Sequence, residues 1–145
     1  MYRIRKTFKF EASHQLSTAF SKACTDTIHG HSYVAEVFLT SKTLNADGMV
    51  LDFGALKAEV GYLFEVWDHA LILHSTGCTA NTVKALAPTQ KKLLLTGYNP
   101  TAENMAKHLH VAITKLMKTR KAWKHIKVEK IRIHETATGW AEYEA

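Results

Sequence analysis

The sequence predicts an α+β domain, an antiparallel four-stranded sheet with two helices on one face, spanning residues 1–145. Residues 2–11 alternate, with Tyr2, Ile4, Phe8 and Phe10 on one side and Arg3, Arg5, Thr7 and Lys9 on the other. That is the period of a half-buried strand. Two later stretches repeat apolar residues at helical spacing instead. The first holds Leu56, Val60, Leu63, Phe64 and Trp67; the second holds Met105, Ala106, Leu109, Ala112, Ile113, Leu116 and Met117. Runs of β-formers at 31–41 and 126–135 supply further strands.

Taken in order, the strand at 2–11 is followed by a second at 31–41, then a turn at Asn45-Ala-Asp-Gly48 and a short extended continuation, Met49–Leu51. Asp52 is placed to cap a helix over 53–67. Residues 74–99 are mixed in character, with a short helical piece at Val83–Leu86. Asn99-Pro100-Thr101 opens the second long helix, Thr101 capping it and Glu103 standing near its positive end. Strands at 126–135 and 139–144, joined around Ala137–Gly139, complete the order strand, strand, helix, helix, strand, strand. The exposed edges of such a sheet favour assembly into oligomers.

Composition narrows the function. The chain has 145 residues, 46% of them hydrophobic and 22% charged, as expected for a soluble globular protein. No apolar run approaches the ~20 residues that span a bilayer, and the basic N-terminus lacks the pattern of a signal peptide. The expected location is the cytoplasm. Two cysteines, Cys24 and Cys78, are too few for a disulfide framework. Lysine and arginine outnumber aspartate and glutamate by 19 to 13, but the basic residues scatter and carry no base-stacking aromatic motif. Neither nucleic acid nor a membrane is an expected partner.

Nine histidines are many for this length. His29-Gly30-His31 enters the second strand, where residues i and i+2 face the same way. Two imidazoles can therefore reach one metal ion. His14, just past the first strand, joins them if the two strands pair. Three histidines with an open position match a catalytic zinc site. Cys24 lies in the polar loop before His29 and offers a thiolate as base or nucleophile, or as a fourth ligand closing a structural site. Asp68-His69 has the make-up of an acid–base relay. Glu135 is one more acid at a strand end. His74, His108, His110, His125 and Cys78 fall in no coherent spacing.

Together these residues resemble the family of 6-pyruvoyl tetrahydropterin synthase and bacterial 6-carboxytetrahydropterin synthase. The similar pieces are Phe10-Glu-Ala-Ser-His14, Cys24 with His29-Gly-His-Ser-Tyr33, Gly48-Met-Val-Leu-Asp-Phe53 with Leu56-Lys57, Asp68-His69, Pro100-Thr-Ala-Glu-Asn104 and His134-Glu-Thr136. The stretch from Leu73 to Asn99 is longer than in compact bacterial members.

The resemblance implies the tunnelling fold and a homo-oligomer, typically a hexamer, with sites at subunit interfaces. It implies Zn2+ on His14, His29 and His31, Cys24 as general base, and Asp68 and His69 as its relay. Glu135 would anchor the pterin, and Thr101 and Glu103 would line its pocket. The implied substrate is 7,8-dihydroneopterin triphosphate. The compact Cys24…His29-Gly-His31-Ser32 arrangement resembles the bacterial branch, whose product is 6-carboxytetrahydropterin on the route to queuosine. The 6-pyruvoyl product is the alternative within the family, and a non-catalytic zinc-binding structural protein the alternative of another class.

Overall fold

An antiparallel pair forms the centre of the molecule. Strand β1 (Tyr2–Gln15) runs against β2 (His29–Ser41), in a register that begins at Tyr2 opposite Ser41 and ends at His14 opposite His29. The computed structural model describes residues 1–77 and 80–145. Its remaining elements are α1 (Lys22–Asp26), α2 (Phe53–Trp67), β3 (Ala70–His74), α3 (Ala80–Leu86), β4 (Leu93–Thr96), α4 (Ala102–Thr119), β5 (Ile126–His134) and β6 (Trp140–Glu144), with a short 3-10 turn at Lys121–Trp123. The strands form one sheet in the order β4-β3-β1-β2-β5-β6.

The period-two alternation puts Phe8, Phe10 and Ala12 of β1 on one face, with Tyr33, Ala35, Val37 and Leu39 of β2 and Ile131 and Ile133 of β5. Helices α2 and α4 cover that face. They bury Leu56, Val60, Phe64 and Trp67 from the first and Met105, Ala106, Leu109, Ile113 and Met117 from the second. Phe8 and Phe64 stack with ring centroids 4.2 Å apart, and Phe10 stacks on Tyr33 at 5.0 Å. Each such side chain contributes about 1.5–3 kcal/mol by leaving water. Asp52 starts α2 by accepting from the Ala55 N–H at 2.9 Å, and Thr101 caps α4 through the Asn104 N–H.

The opposite face of the sheet is ionic. Glu36 is buried there, accepting from Arg5 at 2.6 Å and lying 3.0 Å from the His134 ring and 3.7 Å from Arg132. Burial alone would raise its carboxyl, but the His134 hydrogen bond and the arginine charges outweigh burial and hold it below the ordinary carboxylate value. Arg132 also stacks over the Trp140 ring, 4.0 Å from its centroid, and pairs with Glu142.

The expected α+β layout stands, with helices on one face, but the strand count was too low. Two strands were missed, β3 and β4, and both run parallel: β3 to β1 over Ala12–Gln15, and β4 to β3. A strand buried on both faces has no alternation to detect. Ala70-Leu-Ile-Leu is such a run, its four residues all buried. Met49–Leu51 is not a strand. Asn45 closes a loop on Met49 through its side chain and backbone, and Val50 and Leu51 are apolar because they enter the core. The helical piece at Val83–Leu86 falls within α3.

Phe64→Ala is expected to lower unfolding stability by about 3–5 kcal/mol, the range for a buried ring leaving a cavity. Loss of the α2 cap in Asp52→Ala should cost only ~1 kcal/mol. Urea titrations followed by circular dichroism check both.

Candidate active site

The row that buries Phe8, Phe10 and Ala12 on β1 continues to His14, and the row of Tyr33 on β2 begins with His29 and His31. Three imidazoles therefore stand at the end of the core rather than on the surface. His14 is fully buried, opposite His29, while His31 lies opposite Ala12. One ring nitrogen from each comes within 4.8 Å of the others, and no other described His, Cys, Asp or Glu joins that group. Gly30 allows the strands to close here: a Cβ would sit 3.3 Å from Ser13 Oγ and 3.5 Å from the Ala12 carbonyl.

The hydrogen bonds decide where the protons are. His14 Nδ1 lies 2.8 Å from the Pro100 carbonyl and His29 Nδ1 lies 3.2 Å from that of Thr27. A carbonyl only accepts, so both Nδ1 atoms carry the proton. In their neutral forms the two Nε2 atoms are then bare lone pairs, facing each other at 3.0 Å. His31 Nε2 is buried and has no hydrogen-bond partner among the described residues. Burial, more than the neighbouring imidazoles, lowers His14 from the ordinary 6.5 to about 4, and burial also lowers His31. Converging ring nitrogens of this kind can hold a cation, and three imidazole donors are a set that suits zinc. The residues fit a metal ion.

Glu135, just past β5, brings its Oε1 to 3.6 Å from His14 Nε2 and 3.9 Å from His31 Nε2. Tyr33 joins the two sides of the site. Its hydroxyl lies 3.2 Å from His14 Nδ1 and donates to Glu135 Oε1 at 3.5 Å. Burial first, and the Glu135 charge second, push its phenol well above the ordinary value, so it stays a neutral donor. From the sequence alone Tyr33 carries no assigned role. The signal was present, because Tyr33 follows His29 and His31 at the same period of two. The Pro100 carbonyl, being backbone, left none.

Cys24 sits half-buried on α1, its carbonyl accepting from the Leu16 N–H at 3.0 Å. The structure brings it near β1's end but not into the imidazole cluster. Thr101 and Glu103 lie at the start of α4, beside the Pro100 carbonyl that holds His14; Thr101's hydroxyl is used as the cap. Cys78 lies outside the described residues.

Asp68 and His69 form a pair of their own. Asp68 Oδ2 lies 2.8 Å from His69 Nδ1, and Oδ1 accepts from the Glu11 N–H at 2.8 Å. The Glu11 bond, then the His69 bond, lowers the Asp68 carboxyl. His69 adopts a left-handed backbone, φ 58°, and its own N–H donates to the Glu11 carbonyl. Its side chain is 77% exposed. It shares a cavity of about 420 Å3 with Glu11, Ser13, Gly30, His31 and Ser32. The pair lies outside the group of converging ring nitrogens, though His69 lines the same cavity as His31.

This sheet, with its helices on one face and three histidines at the end of its central pair, defines a tunnelling-fold protein with a histidine cluster able to hold a metal ion. The family model for 6-pyruvoyl tetrahydropterin synthase matches residues 3–145. The chain belongs to that family of enzymes. It is 33% identical to 6-carboxy-5,6,7,8-tetrahydropterin synthase of Aquifex aeolicus, covering 98% of this chain and 97% of the relative. The enzyme of that name from Rickettsia bellii is 34% identical, with 98% and 99% covered. Among solved structures, an uncharacterized protein of Wolinella succinogenes superposes with TM-score 0.83 at 20% identity, covering 99% of this chain and 97% of that one. The 6-pyruvoyl tetrahydropterin synthase of Plasmodium vivax superposes with TM-score 0.70 at 15% identity, covering 100% and 99%. No helix among the described residues is long and apolar enough to cross a membrane.

His31→Ala should abolish stoichiometric metal binding, read by elemental analysis after dialysis. Tyr33→Phe should keep the metal but weaken its affinity about 10-fold or more, the scale for a second-layer partner. In metal-free protein, His14 resists protonation until pH falls to about 4, while in the unfolded chain it protonates from about 6.5. The unfolded state thus binds the extra proton first, and stability should fall as pH drops through that window. His14→Gln should flatten the slope in urea titrations at graded pH.

Proposed function

We propose that this protein is a zinc-dependent lyase that converts 7,8-dihydroneopterin triphosphate to 6-carboxy-5,6,7,8-tetrahydropterin, releasing acetaldehyde and triphosphate. The observation that carries the reading is the convergence of three ring nitrogens from His14, His29 and His31 at the end of the core, all within 4.8 Å of one another. The names of the full-length relatives from Aquifex and Rickettsia support the carboxy product.

When bound, zinc would supply a Lewis acid that polarises the oxygens of the substrate side chain and acidifies the adjacent carbon-bound protons. Glu135 accepts hydrogen bonds from the amide and amino groups of the pterin ring, its carboxylate kept facing the cluster by Tyr33. Thr101 and Glu103 border the same pocket from the start of α4. Cys24, as the thiolate, removes a carbon-bound proton at Sγ. Its place outside the imidazole cluster supports a base over a fourth ligand. His69 passes protons to and from that thiol, and Asp68 holds its Nδ1–H.

The exposed His69 ring supports a further point, that Asp68 and His69 serve the site of a neighbouring copy in a homo-oligomer, as in a hexamer. β3 pairs with β1 only from Ala12 onward, which leaves an unpaired stretch of β1 edge for such a neighbour.

Zinc-loaded protein given dihydroneopterin triphosphate is expected to yield carboxytetrahydropterin and acetaldehyde, read by mass spectrometry and a separate aldehyde assay. A pyruvoyl product without acetaldehyde would move the chain to the other branch of its family. Cys24→Ala should keep zinc at full occupancy and lose turnover. Loss of zinc in that variant would make the thiol a ligand and the site structural.

A further inference from the structure

The loop that carries Cys24 leaves β1 two residues after His14, and the start of α4 lies against the same histidine through the Pro100 carbonyl. One side chain ties these two segments together. Asn99 Oδ1 accepts the Ser17 N–H at 2.8 Å, and Asn99 Nδ2 donates to the Thr18 carbonyl at 2.9 Å. A donor on one side and an acceptor on the other fix which way the amide points. The backbone of Asn99 is held as well, its carbonyl accepting from the Thr101 N–H at 2.8 Å and from Asn104 Nδ2 at 3.0 Å. Leu16 N–H and Gln15 Nε2 then bind the carbonyls of Cys24 and Thr25, at 3.0 and 2.6 Å. The loop is thus strapped at both of its ends, to the strand that bears His14 and to the segment that orients it.

We infer that Asn99 is a positioning residue that sets the Pro100 carbonyl against His14 and the Cys24 loop against the metal centre as one unit. Among the described residues its hydrogen-bond partners are backbone groups and the Asn104 side chain, and it is not one of the converging imidazole group. Its two side-chain bonds are made to backbone, so the position needs a donor and an acceptor a fixed distance apart, which asparagine supplies. The Asn99→Asp change would keep the acceptor and lose the donor, and Asn99→Leu, similar in shape, would lose both. The inference about the loop rests on the reading of Cys24 as the base. The part concerning His14 does not.

The test uses full-length Asn99→Leu and Asn99→Asp in a Cys78→Ser background, where Cys24 is the single thiol. Zinc affinity is measured by competition with a chromophoric chelator, and Cys24 alkylation by iodoacetamide is followed against pH with and without zinc. In the parent protein zinc is expected to shift the alkylation profile to lower pH, as a nearby cation favours the thiolate. Asn99→Leu should weaken zinc about 10-fold or more and remove that shift while leaving the circular dichroism spectrum intact. Asn99→Asp should fall between. A folded Asn99→Leu with parental zinc affinity and a parental shift would overturn the inference. If Asn99→Leu does not fold, Asn99→Asp decides by the same two readings. A parental protein whose thiol ignores zinc would sink the role of Cys24 as base, and the zinc affinities alone would then judge Asn99.

Discussion

The antiparallel register of β1 on β2 is the constraint on which the site depends. It sets His14 opposite His29 and Ala12 opposite His31, so that three rings converge. In a strand pair a slip of one residue turns every side chain to the other face. Here a slip of β1 would expose Phe8 and Phe10 together with His14, and a slip of β2 would expose Tyr33, Ala35, Val37 and Leu39 together with His29 and His31. The packing of the core thereby also holds the three imidazoles in register.

The same burial does chemical work. Water is kept from His14 because it terminates a packed row, and that exclusion is what keeps its imidazole neutral. Tyr33, next along its own row, is held neutral by the same dry surroundings and can only donate to Glu135. On the far face, away from the two long helices, charge is neutralised by charge instead: Glu36 among Arg5, Arg132 and His134. The sheet therefore separates a face that carries the imidazole cluster from a face of ion pairs.

Much of this was legible in the sequence where the pattern was periodic. The alternation from Tyr2 to Phe10 gave the first strand and the direction of its core face, and the His29-Gly-His31 spacing put two imidazoles on one side of the second. The helical stripes of α2 and α4 and the Asp52 and Thr101 caps were readable for the same reason. What lay hidden had no period or no side chain. β3 and β4 are short and their apolar runs do not alternate, and the Pro100 carbonyl that orients His14 is backbone. Asn99 was read only as part of a helix opening, since its two bonds reach back to residues more than eighty positions earlier. Asp68 and His69 are legible as a pair, but the sequence does not say that they lie outside the group of converging ring nitrogens while His69 lines a cavity with His31.

His69 sits in the left-handed region, which an L-residue other than glycine occupies at a cost of roughly 1 kcal/mol. A glycine would take this turn between α2 and β3 with less strain, yet the turn carries an imidazole. On the role proposed for His69, selection for thermal robustness and selection for turnover pull this one position in opposite directions. A library screened on folding alone should then drift toward glycine here, and one screened on product should hold the histidine.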